Sequence, residues 1–174
     1  MSSFIANENH EVFFFDEGRF GLMPSVGRCW GLRGKKIKSF VSAGYKNFYA
    51  YSSVSPFTGD SFTLFLPWVN TEMMNLYLKE LSSAFQKKRV LIIMDQAGWH
   101  CSKNLVLPDN ISIDLLPPYS PELNPVERLW QWIRRHVCKN RLYPSLSKLE
   151  DALASTFKHI SAPFLSSLCG CSYL

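Results

Sequence analysis

The sequence has few charged residues and no long apolar run. Asp, Glu, Lys and Arg make up 19% of its 174 residues, against 47% hydrophobic residues, and this balance argues against intrinsic disorder. No apolar stretch approaches the roughly 20 residues of a membrane-spanning helix. The first residues also lack the basic region and apolar stretch of a secretory signal. We therefore expect a cytoplasmic protein without a membrane partner.

The cysteines favour neither disulfides nor a zinc site. The five cysteines are scattered and odd in number, and in a reducing compartment such residues are normally free thiols. Cys169 and Cys171 form one closely spaced pair, and no second pair lies nearby to complete a zinc site. Repeats, low-complexity tracts and linkers are absent as well. We expect residues 1–174 to form a single domain with its own core.

Positive charge is the main imbalance. The net charge of +5 and pI near 9.0 favour an acidic partner, of which nucleic acid is the commonest. Two groups of basic residues together predict a surface that follows a phosphate backbone. These are Arg28, Arg33, Lys35, Lys36 and Lys38, and then Arg128, Arg134, Arg135, Lys139 and Arg141. For any single arginine, a solvated helix face is an equally good interpretation.

Apolar patterns predict strands first and helices later. Residues 11–16 are apolar on both faces, which is typical of a central strand. Residues 27–32 and 37–54 alternate between apolar and polar and predict an antiparallel meander. Further strands are expected at 61–66, 90–94 and 111–115.

Three segments carry helical periodicity. A four-residue spacing of Met73, Tyr77, Leu81 and Phe85 predicts a helix from residue 71. An amphipathic helix is expected at 124–137. A last helix is expected near Ser147, with Glu150 completing a capping box. This order of elements predicts an α/β layered domain with a mixed sheet flanked by helices.

Three acidic residues lie at the ends of predicted core elements. Asp16 follows the apolar run 12–15, Asp95 follows the run 90–94, and Glu127 lies one turn into the helix after residue 124. A carboxylate at the end of a buried strand is costly unless something pairs with it. Three of them indicate a shared divalent cation, and carboxylate-bound magnesium indicates phosphate chemistry.

Each acid alone has a simpler interpretation. Asp16 can stabilise a turn before Gly18, and Asp95 can begin a turn. Glu127 can cap the helix that starts at Asn124, with Pro125 in the favoured first position. His100 can contact phosphate or metal-bound water, or can be satisfied by backbone groups. Only the three acids together favour a metal site.

Three segments resemble the DDE transposases. They are residues 15–17, residues 94–100 and residues 117–130, of which Tyr-Ser-Pro-Glu-Leu-Asn-Pro-Val-Glu is the most specific part. The closest resemblance is to the bacterial insertion-sequence branch of the mariner superfamily, over about residues 11–170. Gln96 follows the second acid where many relatives have asparagine.

The resemblance implies an RNase H-like fold of the retroviral integrase type, with a central mixed five-stranded sheet. It implies a catalytic and metal-binding triad of Asp16, Asp95 and Glu127, and two Mg²⁺ ions for which Mn²⁺ can substitute. The implied activity is cleavage and strand transfer of transposon DNA, by a homodimer acting on transposon ends and TA target sites near the bacterial nucleoid. The candidate DNA contacts are His100, Arg128, Arg134, Arg135 and Lys139.

The resemblance also implies a helix-turn-helix domain before the first acid, and this sequence shows none. We expect the chain to be the catalytic half, with the helix-turn-helix domain carried by a separate chain as one arrangement. Two alternatives stay open. One is a nuclease that cuts DNA without joining it, and the other is an inactive relic domain that binds DNA.

Overall fold

The computed structural model describes residues 9–23, 27, 28, 30, 32–35 and 45–171. Within these residues, five strands form one sheet: β1 (His10–Gly21), β2 (Asn47–Val54), β3 (Ser61–Leu66), β4 (Arg89–Met94) and β5 (Ile111–Leu115). The α-helices of the same residues are α1 (Thr71–Ala84), α2 (Val126–Ile133), α3 (Leu146–His159) and α4 (Ala162–Cys169). A 3-10 turn (Pro121–Leu123) precedes α2, and a π-helical turn (Arg134–Cys138) follows it.

The sheet is mixed, as predicted, with the strand order β3-β2-β1-β4-β5. β1 is antiparallel to β2 and parallel to β4, and β4 is parallel to β5. The last residues paired between β1 and β4 are Phe14 and Ile93. Asp16 and Asp95 each lie two residues beyond this pair, so the register places the first two acids side by side at one edge.

Both faces of the sheet are covered, which explains why β1 is apolar on both sides. Val12, Phe14 and Ile93 pack with α2, α3 and α4 in one core cluster. Phe13, Phe15 and Ile92 pack with α1 in the other. Because side chains alternate along a strand, Asp16 faces α2 and Glu17 faces the α1 side. The predicted central position of this strand is confirmed.

The first strand is longer than predicted. It continues past Asp16 to Gly21, because residues 16–21 pair with β2 after β4 has ended. Asp16 therefore lies within a strand, at the point where one of its two neighbours stops. The predicted strand at 27–32 is wrong for the residues described there, since none of residues 27, 28, 30 and 32 is in a strand. Residues 29, 31 and 37–44 of the predicted meander lie outside the described residues.

The helices differ from the predictions in detail. In α1 the buried residues are Met74, Tyr77, Leu78 and Leu81, because the stripe alternates steps of three and four; Met73 and Phe85 pack at its margin. The predicted capping box at Ser147 and Glu150 is wrong. Ser145 is the N-cap of α3, and its hydroxyl accepts from the backbone N–H of Lys148.

The helix predicted at 124–137 is a regular α-helix only over the eight residues of α2, and its second part is the π-helical turn. The 3-10 turn ends at Leu123, just before the predicted range. None of the helices within the described residues is long and apolar enough to cross a membrane.

Candidate active site

Asp16 is held by the indole of Trp130. Trp130 lies on the buried face of α2, and its Nε1–H donates to Asp16 Oδ2 at 2.8 Å. The indole reaches the strand because Gly18 has no side chain, since a Cβ there would lie 2.9 Å from the Trp130 ring. A buried indole N–H needs an acceptor. One carboxylate oxygen of Asp16 is thus fixed by the core.

Asn124 fixes the start of α2 against the same strand. Its side chain is buried; its Nδ2 donates to the backbone oxygen of Phe15 at 2.8 Å, and its Oδ1 accepts from the N–H of Val126 at 3.1 Å. Glu127, the second residue of α2, is thereby placed next to Asp16. Its carboxylate makes no hydrogen bond with the described residues, so the capping-box interpretation of Glu127 receives no support from the structure.

Asp95 lies directly after β4 and is held by the turn that follows. Its Oδ1 accepts from the N–H of Ala97 at 3.1 Å and from His100 Nδ1 at 2.8 Å. The side chain is 61% exposed. The two donors share one oxygen, so Oδ2 is the atom directed away from the turn.

His100 connects Asp95 to Glu17. Its Nε2 donates to Glu17 Oε1 at 3.0 Å, and Trp99 Nε1 donates to the same oxygen at 3.0 Å. Both ring nitrogens of His100 face carboxylate oxygens, and only the protonated ring can donate from both. Burial acts to lower the pKa of His100, but the hydrogen bond and charge of Glu17 and the charge of Asp95 raise it above its ordinary value.

The three predicted acids line one open cavity of about 480 Å³. Asp16 and Asp95 enter from the sheet edge, and Glu127 enters from α2. The remaining lining residues are Gln96, Ala97, Leu116, Pro117, Pro118, Tyr119, Ser120, Pro121 and Asn124. A second cavity of about 490 Å³ shares Pro121, Asn124 and Glu127 with the first and continues along α2 to Arg128 and Gln131.

The negative charges of the site repel one another. Burial, followed by the charges of Glu127 and Glu17, raises the pKa of Asp16 from 3.8 to about 7, although the hydrogen bond from Trp130 acts in the other direction. A cation among these carboxylates would favour the charged form of Asp16. The donor set is composed of carboxylate oxygens, which are the ligands that Mg²⁺ prefers.

The acids share a cavity without yet forming a ligand cage. Across the described residues, no three His, Cys, Asp or Glu side chains are arranged to hold a metal ion as they stand. Asp16 and Asp95 are fixed by Trp130 and His100, respectively. Glu127 has no such restraint and is the acid that can rotate towards the other two.

The raised pKa of Asp16 predicts a pH-dependent stability in metal-free protein. The unfolded chain loses this proton near pH 4 and the folded chain near pH 7, so stability falls as the pH rises between them. Asp16→Asn removes this charge and can keep the Trp130 hydrogen bond. We expect the variant to be more stable than the parent at pH 8, by on the order of 2–4 kcal/mol, with a smaller difference at pH 5. Urea unfolding in EDTA measures both values, and equal differences at the two pH values would contradict the assignment.

Of the candidate DNA contacts, His100 and Arg128 bind other groups of the protein, whereas Arg134 and Arg135 are exposed. His100 was expected to contact DNA; in the structure its ring is buried, and both of its nitrogens bind carboxylates. Arg128 Nη1 donates to the backbone oxygen of Gly170 at 2.6 Å, which ties it to the end of α4. Arg134 and Arg135 are exposed, and the Arg134 guanidinium lies 5.9 Å from the centre of the Phe20 ring.

Tyr119 was not identified as a site residue from the sequence. Its side chain is fully exposed at the wall of the cavity, and its backbone is in the left-handed region, with φ of 58°. A left-handed conformation is uncommon for a bulky residue. The prolines on either side of residues 119–120 were the only signal, because they indicate a constrained loop.

The family profile of the DDE superfamily endonucleases matches residues 11–150. The chain belongs to the DDE superfamily endonuclease family. The resemblance seen in the motifs is therefore confirmed over most of the chain, and the matched range contains the positions of the three predicted acids.

Two relatives of this DDE chain are bacterial. It is 43% identical over 96 residues to the uncharacterized protein y4pE/y4sA of Sinorhizobium fredii, covering 55% of this chain and 71% of that protein. It is 27% identical over 145 residues to the insertion element IS630 uncharacterized 39 kDa protein of Shigella sonnei, covering 80% of this chain and 42% of that protein.

Solved structures confirm the predicted RNase H-like, integrase-type fold. A pre-cleavage Mos1 transpososome matches 97% of this DDE chain with a TM-score of 0.73 at 17% identity, over 54% of its own chain. A Mos1 mariner paired end complex with Mn matches 97% with a TM-score of 0.71 at 19% identity, also over 54%. A simian T-cell lymphotropic virus intasome matches 88% with a TM-score of 0.51 at 16% identity, over 49%. The chain thus spans about half the length of these structures.

Proposed function

We propose that the chain is the catalytic part of a DNA transposase, which cuts DNA at transposon ends and joins a freed 3′ hydroxyl to target DNA. The observation that carries the proposal is the convergence of Asp16, Asp95 and Glu127 on one cavity. Membership of an endonuclease family and the similarity to an insertion-element protein support it.

We propose that these three carboxylates hold two Mg²⁺ ions, with Mn²⁺ as a substitute. Bound in pairs, such ions stabilise the attacking and leaving oxygens of an in-line displacement at phosphorus. The chain contributes two carboxylates oriented by hydrogen bonds and a third, Glu127, whose carboxylate makes no hydrogen bond with the described residues. Trp130 holds Oδ2 of Asp16, and His100 and Ala97 hold Oδ1 of Asp95, so each acid keeps an oxygen for a cation.

The DNA is expected to follow the two adjoining cavities along α2. They share a wall at Glu127, and the second reaches Arg128. The exposed Arg134 and Arg135 follow at the end of α2, and Lys139 lies beyond them, half-buried against Gly27. Phosphate contacts from these residues would position the backbone without reading the bases. TA target sites, assembly as a homodimer on two ends, and end recognition by a separate helix-turn-helix chain remain part of the proposal.

Tyr119 is expected to stack on a base next to the cut. A fully exposed aromatic ring at the cavity wall matches the stacking platforms of proteins that bind unpaired bases, where one ring contributes about 1–3 kcal/mol. Tyr119→Ala should therefore weaken binding of DNA with unpaired ends about 5- to 150-fold. Fluorescence anisotropy measures this, and Tyr119→Phe, which keeps the ring, should bind like the parent. Equal binding by all three proteins would exclude stacking.

Joining distinguishes a transposase from a nuclease. Pre-cut end DNA is incubated with a supercoiled plasmid, Mg²⁺ and the protein, and the products are separated on a gel. Joined products support the transposase. Hydrolysed DNA without joined products would favour the nuclease, and DNA binding without either product would favour the inactive relic.

A further inference from the structure

A buried carboxylate lies behind the site on the opposite face of the sheet. Glu17 follows Asp16 in β1, and its side chain is 8% exposed. Its Oε1 accepts from Trp99 Nε1 and from His100 Nε2, both at 3.0 Å. Both donors belong to the turn that begins at Asp95. A buried carboxylate that binds two donors of one turn fixes that turn to the strand.

The imidazole of His100 is held by ring contacts and by hydrogen bonds at both nitrogens. It makes edge contacts with the rings of Phe15 and Trp99, at centroid distances of 5.6 and 5.7 Å. Each of its nitrogens bonds a different carboxylate. The sheet fixes Glu17, Glu17 binds one side of the His100 ring, and the other side of the ring binds Oδ1 of Asp95.

Asp95 needs such a restraint because its side chain is mostly exposed at the end of a strand. Left free, it would sample several rotamers, and a metal ligand must be held closely in its productive geometry. His100 and Ala97 both bind Oδ1. The oxygen that takes part in neither of these hydrogen bonds is Oδ2, and Asp95 lines the cavity. Trp130 does the same for Asp16 by binding Oδ2 and leaving Oδ1.

We infer that Glu17 and His100 are positioning residues, which hold Asp95 in the rotamer that binds the catalytic cation without touching the cation themselves. The inference rests on the proposed function, because it assumes that Asp95 is a metal ligand. Asp16 and Glu17, which are adjacent in β1 and lie on opposite faces of the sheet, would then both contribute to the same metal site. Asp16 would bind the cation directly, and Glu17 would act through the turn.

Two variants test the pair. Glu17→Gln keeps the size of the side chain and removes its charge. His100→Phe keeps a ring between Phe15 and Trp99 and removes both hydrogen bonds. Glu11→Gln is the matched control, because Glu11 lies six residues earlier on the same face of β1. It is also buried, and it binds Lys88 Nζ at 2.6 Å and Thr58 Oγ1 at 2.9 Å at the other end of the strand.

Direct metal binding is the readout, so the result does not depend on enzyme activity. Titration with Mn²⁺ followed by electron paramagnetic resonance should show binding 10- to 100-fold weaker in Glu17→Gln and His100→Phe, and unchanged in Glu11→Gln. The Mg²⁺ affinity of the two variants, measured by competition with Mn²⁺, should fall by a larger factor than their Mn²⁺ affinity, because Mg²⁺ demands nearly ideal octahedral geometry. Urea unfolding in EDTA measures the stability lost by Glu17→Gln and by Glu11→Gln. If the role of Glu17 were merely structural, the loss of metal affinity would follow the loss of stability in both variants.

The outcomes separate the two proposals. If the parent binds Mn²⁺, Asp16→Asn abolishes this binding, and Glu17→Gln and His100→Phe bind like the parent, the positioning role is overturned and the proposed function stands. The same holds if Glu11→Gln weakens binding as much as Glu17→Gln. If the parent binds no Mn²⁺ at these acids, the proposed function fails, and the positioning role fails with it.

Discussion

Replacing Asp95 with asparagine should abolish Mg²⁺-dependent DNA cleavage and leave DNA binding nearly unchanged. Asparagine keeps an oxygen that can accept from Ala97 and His100, so the turn after β4 should persist. It removes the negative charge that a hard cation requires. We expect a loss of at least about 1000-fold in the cleavage rate, which corresponds to about 4 kcal/mol of transition-state stabilisation. Single-turnover cleavage of labelled end DNA measures it.

Asp114→Asn is the matched control for this variant. Asp114 is exposed on the neighbouring strand β5, and its Oδ1 likewise accepts a backbone N–H, from Leu115 at 2.9 Å. It does not line the cavity of the acids, so this variant should cleave like the parent. Cleavage by Asp95→Asn at the parental rate would remove Asp95 from the mechanism. If Asp95→Asn lost DNA binding in parallel with cleavage, the lower cleavage rate would be explained by weaker DNA binding instead of by a lost metal ligand.

Replacing Glu127 with glutamine should lower the cleavage rate about 100- to 1000-fold with little change in stability. The start of α2 is held by Asn124, and the Glu127 carboxylate makes no hydrogen bond with the described residues. The free energy of unfolding should therefore stay within about 0.5 kcal/mol of the parent. Cleavage kinetics and urea unfolding on the same preparations provide the two values.

The control here is Glu150→Gln, in α3. Glu150 is exposed and lines neither of the two cavities. It should cleave at close to the parental rate. A Glu127→Gln variant that retains full activity would leave Glu127 as a helix-start residue only, as its position near the beginning of α2 would allow.

The sequence predicted the sheet and the meeting of the acids because both depend on simple periodicity. Apolar runs that end in Asp16 and Asp95 describe two adjacent buried strands, and parallel pairing then brings their ends together. The extension of β1 to Gly21 could not be seen in the same way. It depends on pairing with β2, which the polar residues 16–19 do not reveal.

The supporting groups of the site were the harder part to predict. The alternation in β1 places Glu17 on the buried face of Phe13 and Phe15, and a buried carboxylate needs partners. That reasoning could have identified Glu17 as more than a surface group. It could not have named Trp99 and His100, because their positions depend on the turn after β4, and periodicity does not describe turns. The left-handed backbone of Tyr119 was hidden for the same reason.

Diffraction from crystals soaked in Mn²⁺, recorded with anomalous scattering, would locate the cation. We expect Mn²⁺ in the cavity, coordinated by carboxylate oxygens of Asp16, Asp95 and Glu127, with Glu127 rotated towards the other two. Saturating Mn²⁺ that leaves this cavity empty, or that binds there without one of the three acids, would contradict this expectation.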